Sequence, residues 1–369
     1  RNIMPKKLGG KETMTGRERV QRFFAHEKAD RVPIGYDSNP DIDRRLKEAL
    51  GLKPDDSLGL KEAIGDDFQW VGAPYTGPVL HEAVAGRQIE PEFGIRQMWI
   101  EHGQGGYWEY CDFPLKDADE EMVANWPMPL PEDYDYSAAI DLCRQAPDLA
   151  HHVGDPGLGD FLNKSGMLWS QEAVYLNVLI EDPAWQLFLD RRLDIQLEVT
   201  RRIIEAASGL IDFMWIGEDL GTQRGPVISL DVFRKQIRPR MQKLVDLAKS
   251  FDLPVIIHSC GSSSWAFDDF IEMGIDGVQT LQPEAEKMSP SYLKENYGDK
   301  LVFHGAISTA GPLSFGSPDE VRQNVRETLE AMMPGGGYAL APTHKIQDNS
   351  PTENVLAMYE AAHEFGYYQ

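Results

Sequence analysis

Short apolar runs punctuate the second half of the chain at Ile211–Ile216, Pro254–His258, Gly277–Leu281, Leu301–His304 and Tyr338–Ala341. Between them lie longer stretches whose apolar residues recur at helical spacing, as in Leu230–Ser250 and Ser317–Met333. Buried strands alternating with helices predict repeated β-α-β units, hence a parallel sheet in a barrel or a doubly wound arrangement. No G-x-G-x-x-G follows the first strand, which removes the usual support for a dinucleotide-binding sheet. The first half is less regular. A helix capped by Thr15 is predicted over Thr15–Glu27, and Val32–Tyr36 reads as a strand that ends in Asp37-Ser38-Asn39-Pro40. EFGIRQMWIEHGQGGYWEY, from Glu92 to Tyr110, sets alternating large apolar residues around a Gly-rich centre, the pattern of an antiparallel hairpin leaving the main body. The Pro-rich piece Trp126–Tyr134 suits a surface connection.

Every strand predicted in the second half is followed by residues able to bind or catalyse: Glu218-Asp219, His258-Ser259-Cys260, Gln282-Pro283-Glu284, His304-Gly305 and Thr343-His344. In parallel α/β folds the loops after the strands form one rim, so these groups are expected to meet at a single mouth. His258 and Cys260 occupy alternate positions, which lets both face one side of a strand. A thiolate with an imidazole suits zinc, and a catalytic zinc takes three protein ligands plus an open position. His344 is the candidate third ligand, while Gln282, Glu284 or Glu218 could add an oxygen directly or behind the ligands. A small buried cysteine beside a hydrogen-bonded histidine is the plainer alternative. Glu218 and Asp219 are candidates for a general base or, equally, for capping backbone amides. His304 is a candidate to polarise a substrate oxygen or to bond a neighbouring carbonyl. Asp37 and Arg224 join Gln282 and Glu284 as candidate substrate-binding residues. Gly335-Gly336-Gly337 lies between a helix end and a strand, so it reads as a cap and turn rather than a phosphate cradle. Trp108–Phe113 reads as hairpin packing, and His151-His152 as loop surface.

Composition narrows the partners. With 59 acidic against 36 basic residues the formal charge is −23, which opposes binding to nucleic acid or to an anionic membrane. No stretch approaches the ~20 apolar residues of a membrane span. Three cysteines in 369 residues argue against a disulfide framework and for a reducing, cytoplasmic setting. Residues 1–14 read as a flexible leader without a signal peptide's apolar core, followed by one domain over 15–369.

From Asp212 to Phe365 the stretches GEDLGTQRGPVIS, VIIHSCGS, LQPEA, LVFHGAIST and GGGYALAPTHKIQDNSPTEN, in that order, resemble the uroporphyrinogen decarboxylase superfamily. TGRERVQRFFAHEKADRVPIG and GDDFQWV carry a looser likeness in the N-terminal third. The resemblance implies a single (β/α)8 TIM barrel with an N-terminal helical segment and the hairpin as an excursion. True decarboxylases of the family need no cofactor and carry an Arg-Gln-Ala-Gly-Arg segment after the first strand. Here that place reads Pro33-Ile34-Gly35-Tyr36-Asp37-Ser38-Asn39-Pro40, and a substrate with eight carboxylates loses its guanidinium partners. The other branch comprises zinc-dependent methyltransferases that exchange methyl groups between a corrinoid protein and a thiol, folate or methylated small molecule. Their His-x-Cys pair carries over to His258 and Cys260, and their later cysteine is replaced by His344, which keeps three ligands. The leading expectation is therefore a zinc methyltransferase working with a corrinoid protein, in a chain that could form a homodimer. A decarboxylase using Asp37 or Asp219, and a non-catalytic barrel that binds a small molecule or a corrinoid, are the alternatives.

Overall fold

The computed structural model describes residues 8, 12–102 and 105–369. Ten strands occur among them: β1 Phe68–Val71, β2 Gln88–Ile89, β3 Arg96–His102, β4 Gly105–Tyr110, β5 Ala150–Val153, β6 Phe213–Gly217, β7 Val255–Ser259, β8 Gly277–Thr280, β9 Val302–Ile307 and β10 Tyr338–Pro342. Seven form one parallel sheet in the order β1-β5-β6-β7-β8-β9-β10, so each crossover connects strands that lie side by side. The other three form a small antiparallel sheet in which Trp99 faces Trp108.

The parallel sheet is curled. Val32–Tyr36 lies between its two outermost strands: the Gly35 amide donates to Leu340 O (2.8 Å), and the Asp67 amide beside β1 donates to Ile34 O (2.9 Å). This segment makes isolated bridges rather than a full strand, consistent with Pro33 having no N–H to give.

Alternation along the strands sorts the core into two shells. Phe68, Ala150, Phe213, Ile256, Val302 and Ala339 point to the concave side, where they pack with Val20 and Phe23. Their neighbours Val71, Val153, Met214, Ile257, Val278, Phe303 and Leu340 point outward into the larger cluster shared with the helices. Helix Gly16–Phe24 thus stops the lower end of the curled sheet, and its start is secured by a capping box between Thr15 and Glu18.

Buried charge fastens this plug. Asp67 accepts from Arg19 Nη1 (2.7 Å), Arg31 Nη1 (2.7 Å) and the Ile34 amide (2.8 Å), and all three charged side chains are almost fully enclosed. Asp30 adds a second carboxylate, accepting from Arg19 Nε (2.6 Å) and the Thr13 amide (2.7 Å). Burial pushes the Asp30 carboxyl up, but the Arg19 and Thr13 bonds outweigh it and hold the value at about 2. Because the folded value lies below the ordinary 3.8, this contribution is complete above pH ~4 and is lost as pH falls toward ~2. Urea unfolding between pH 5 and pH 2 should show Asp30→Asn with a shallower acid limb than the parent. Equal limbs would contradict the assignment.

Some elements differ from the sequence reading. The stretch Leu230–Ser250 divides into a short turn Leu230–Val232, a π-helical turn Phe233–Ile237 and the helix Arg238–Ser250. Pro239 is the reason, since it cannot donate back to the preceding turn. His151 and His152 are not loop surface but part of β5 and buried. Burial is tolerated because the two ring nitrogens of His151 meet Leu210 O and Ala146 O at 2.8 Å, and Nδ1 of His152 meets Gly154 O at 3.0 Å. The leader expected over residues 1–14 lies largely outside the described residues. Among the described residues, no helix is long and apolar enough to cross a membrane.

Candidate active site

One step further along the strands, polar and aromatic side chains enter the inward-facing positions. Trp70, His152, Trp215, His258, His304 and Ala341 stand two residues beyond Phe68, Ala150, Phe213, Ile256, Val302 and Ala339, and Gln279 takes the matching place in β8, two beyond Gly277. All seven line a cavity of about 700 Å³, within the range of small-molecule sites. Phe68 floors it, and Asp37, His344 and Lys345 stand exposed at its edge. The pleat that builds the core therefore builds the site.

At one wall, His258, Cys260 and Asp219 offer ligand atoms all within 4.8 Å of one another. His258 Nε2 lies 3.3 Å from Cys260 Sγ and 3.4 Å from Asp219 Oδ1. Hydrogen bonds hold each member. The Nδ1 side of His258 meets Gln279 Oε1, which leaves Nε2 toward the thiol. Asp219 Oδ1 accepts the Cys260 amide (2.8 Å), and Asp219 Oδ2 accepts from Asn163 Nδ2 (2.8 Å), whose own Oδ1 accepts from Gln171 (3.1 Å). Burial works against the imidazolium, yet Asp219 and Cys260 together hold His258 well above its ordinary value. Asp219 is pushed up by burial and pulled further down by His258 and the Cys260 amide, so it stays ionised.

The remaining candidates divide by place. Glu218 is fully buried and accepts the Phe161 (2.8 Å) and Leu162 (3.3 Å) amides at the start of helix Phe161–Trp169. Burial raises its carboxyl well above the ordinary range, and nearby Asp160, itself at about 6, adds to the shift. Gln282 Oε1 accepts the Gly261 amide (2.6 Å) and so shapes the loop behind Cys260. Glu284 is exposed and bonded by Ser308, while Arg224 is exposed in a turn held by Thr222. His304 sits in the cavity floor, edge-on to Phe68 and Trp215 with centroids 5.1 and 5.0 Å away. Burial lowers it to about 3. His344 stands outside the cluster of three but lines the same cavity as His258.

Gly35 makes this floor possible. A Cβ there would meet His304 Nε2 at 2.7 Å and the Ala341 Cβ at 3.1 Å. Gly35→Ala should cost ~1–3 kcal/mol through overpacking and shift His304 into the cavity. Thermal unfolding measures the first effect, and an unchanged midpoint would contradict the close approach.

Gln279, Asn163, Trp70, Trp215 and His152 escaped the sequence reading. One available signal was the repeated Phe-x-Trp of β1 and β6, which places the same pair of rings on the concave face twice.

The family model for uroporphyrinogen decarboxylase (URO-D) matches residues 170–365, more than half of the chain. The chain belongs to the uroporphyrinogen decarboxylase family. Within this URO-D chain, 141 residues are 22% identical to the methylcobamide:CoM methyltransferase MtbA of Methanosarcina acetivorans. That match covers 38% of the chain and spans 39% of the relative's length. A solved methyltransferase from Methanosarcina mazei superposes with a TM-score of 0.62 at 20% identity, covering 95% of this URO-D chain and 99% of the other. The shared fold extends over nearly the whole molecule, and both similar proteins are methyltransferases.

Proposed function

We propose that this URO-D family member is a zinc-dependent methyltransferase that moves a methyl group between a small molecule and a corrinoid protein or a thiol or folate acceptor. The reading rests on the approach of His258 Nε2 to Cys260 Sγ at 3.3 Å on the wall of the large cavity. Two ligands of a tetrahedral zinc with bonds of ~2.0–2.3 Å stand ~3.3–3.7 Å apart, so the pair fits the ion without rearrangement. His258 and Cys260 would hold it, with His344 as the third ligand. His344 makes no hydrogen bond among the described residues, whereas both oxygens of Asp219 are already engaged with Asn163 and the Cys260 amide. Asp219 then serves chiefly to orient the cysteine.

When bound, zinc supplies Lewis acidity that favours a thiolate nucleophile or an ether's leaving oxygen. The chain does the rest. Gln279 accepts the Nδ1 proton of His258 and so keeps Nε2 free to coordinate. The curled sheet is proposed to close as an eight-stranded barrel with Val32–Tyr36 as the eighth stave, which keeps water from reaching the site from below. A corrinoid partner would approach over the mouth at Asp37 and Lys345.

A tetrapyrrole decarboxylase is the weaker reading. Among the described residues lining the cavity there is no arginine, and the cations there are Lys61, already bonded to Asp66, and Lys345. Eight carboxylates would go largely unmatched. The deciding experiment incubates the purified protein with reduced cobalamin and a panel of methylated donors, following methylcobalamin formation. Product from the parent and none from Cys260→Ala supports the methyltransferase. Metal-independent carbon dioxide release from a porphyrinogen would replace it.

A further inference from the structure

The cavity floor carries information about what the methyl group is attached to. Five rings make it: Phe68, Trp70, His152, Trp215 and His304. They brace one another, with His152 centred 5.0 Å from Trp215, and Trp215 and Phe68 both meeting His304 at 75°. The two imidazoles bring no charge, since burial lowers each to about 3. Trp70 differs from the other four. It is 44% exposed and stands on the rim of this floor, its ring lying over Gly72.

The charged groups stand on the wall and rim rather than on the floor. Lys61 Nζ is bonded to Asp66 Oδ2 (2.5 Å) and to the Phe68 carbonyl (2.8 Å), Asp37 and Lys345 sit on adjoining segments joined by the Ile346 amide donating to Asp37 O (3.0 Å), and Asp155 lines the cavity as well. The five rings of the floor carry no charge. An aromatic cage for a methylammonium would need an open ring of π-faces, and here His304, Phe68 and Trp215 meet in T-shaped contacts instead. What the floor offers is a flat, uncharged, polarisable surface, with His258 and Gln279 rising from one side of it.

We propose that the substrate is a planar aromatic compound that bears its methylated heteroatom on the ring. The ring lies on the floor against Trp70 and Trp215, and the heteroatom is directed toward His258. This deepens the methyltransferase reading and rests on it only for the methyl group; the preference for a flat ring stands on the cavity alone.

The test is calorimetric titration of the full chain with three probes: methoxybenzene, its saturated counterpart methoxycyclohexane, and tetramethylammonium chloride. Methoxybenzene should bind roughly 3- to 10-fold more tightly than methoxycyclohexane, the gain expected of one or two stacked ring contacts. Trp70→Ala should lower methoxybenzene affinity by a similar factor and leave methoxycyclohexane unchanged, and Trp70→Phe should restore most of the loss. Equal affinity for ring and saturated probe, tightest binding of tetramethylammonium, or no binding of any probe at millimolar concentration would each overturn the proposal. Metal content and methylcobalamin formation, measured on the same samples, separate the two ideas. A ring preference without methyl transfer removes the methyltransferase and leaves the ring, and methyl transfer without a ring preference does the reverse.

Discussion

Cys260→Ala is expected to lower methyl transfer by about three orders of magnitude or more, with His258→Ala equally severe and the double variant little worse than either. The size follows from the several kcal/mol that a Lewis acid contributes to a developing negative charge, at ~1.4 kcal/mol per tenfold in rate. Near-equality of single and double variants follows from the pair acting as one unit, because a site missing one of two adjoining ligands has already lost its ion. Gln279→Ala should fall between these and the parent, at roughly 10- to 100-fold, since it frees the imidazole to rotate without removing it. Asp219→Asn belongs in the same milder class, as the amide still has an oxygen for the Cys260 backbone. Rates of methylcobalamin formation at saturating donor measure all five. A Cys260→Ala protein as active as the parent would leave the sulfur without a role.

Asp67→Ala should produce the largest loss of stability in the molecule, about 3–5 kcal/mol. The carboxylate is the common partner of Arg19 and Arg31, and its removal leaves two enclosed guanidinium groups with one counter-charge each, Asp30 for Arg19 and Glu12 for Arg31. It also frees the Ile34 amide, which the carboxylate accepts at 2.8 Å, and so loosens the segment between β10 and β1. Chemical unfolding reads the effect as a lower denaturant midpoint. Arg31→Met in the same background should recover part of the loss, because the more weakly paired guanidinium is then absent and its other partner, Glu12, can turn to solvent. A midpoint shift of under ~1 kcal/mol would show that water, rather than Asp67, satisfies these arginines.

The distribution of legible and illegible residues follows from where each sits on the pleat. His258 and Cys260 are readable because a strand end interrupts an apolar run with two ligand types on alternate positions. Trp215 and Gln279 are not. β6 and β8 are buried on both faces, so their inward and outward residues look alike in sequence, and beyond the Phe-x-Trp shared with β1 nothing separates Trp215 on the concave side from Met214 on the convex side. The four-residue β5, Ala-His-His-Val, has neither the length nor the apolar alternation of a strand. His151 meets the Leu210 carbonyl from 59 positions along the chain, and His152 the Gly154 carbonyl two residues on. Asn163 reaches Asp219 from the helix Phe161–Trp169, a tertiary meeting of positions 56 apart that no local pattern announces. Val32–Tyr36 is readable as an extended apolar run, yet its partners, Leu340 and the backbone beside β1, come from opposite ends of the sheet and lie far away in sequence.

The zinc content of the purified protein, measured beside Cys260→Ala, His344→Ala and Asp219→Asn, tests the site most directly. Close to one zinc per chain in the parent and in Asp219→Asn, with little in Cys260→Ala and a clear deficit in His344→Ala, is the result expected of a sulfur and two imidazoles sharing one ion. Equal zinc in the parent and Cys260→Ala, or none in any of the four after growth with added metal, would contradict it.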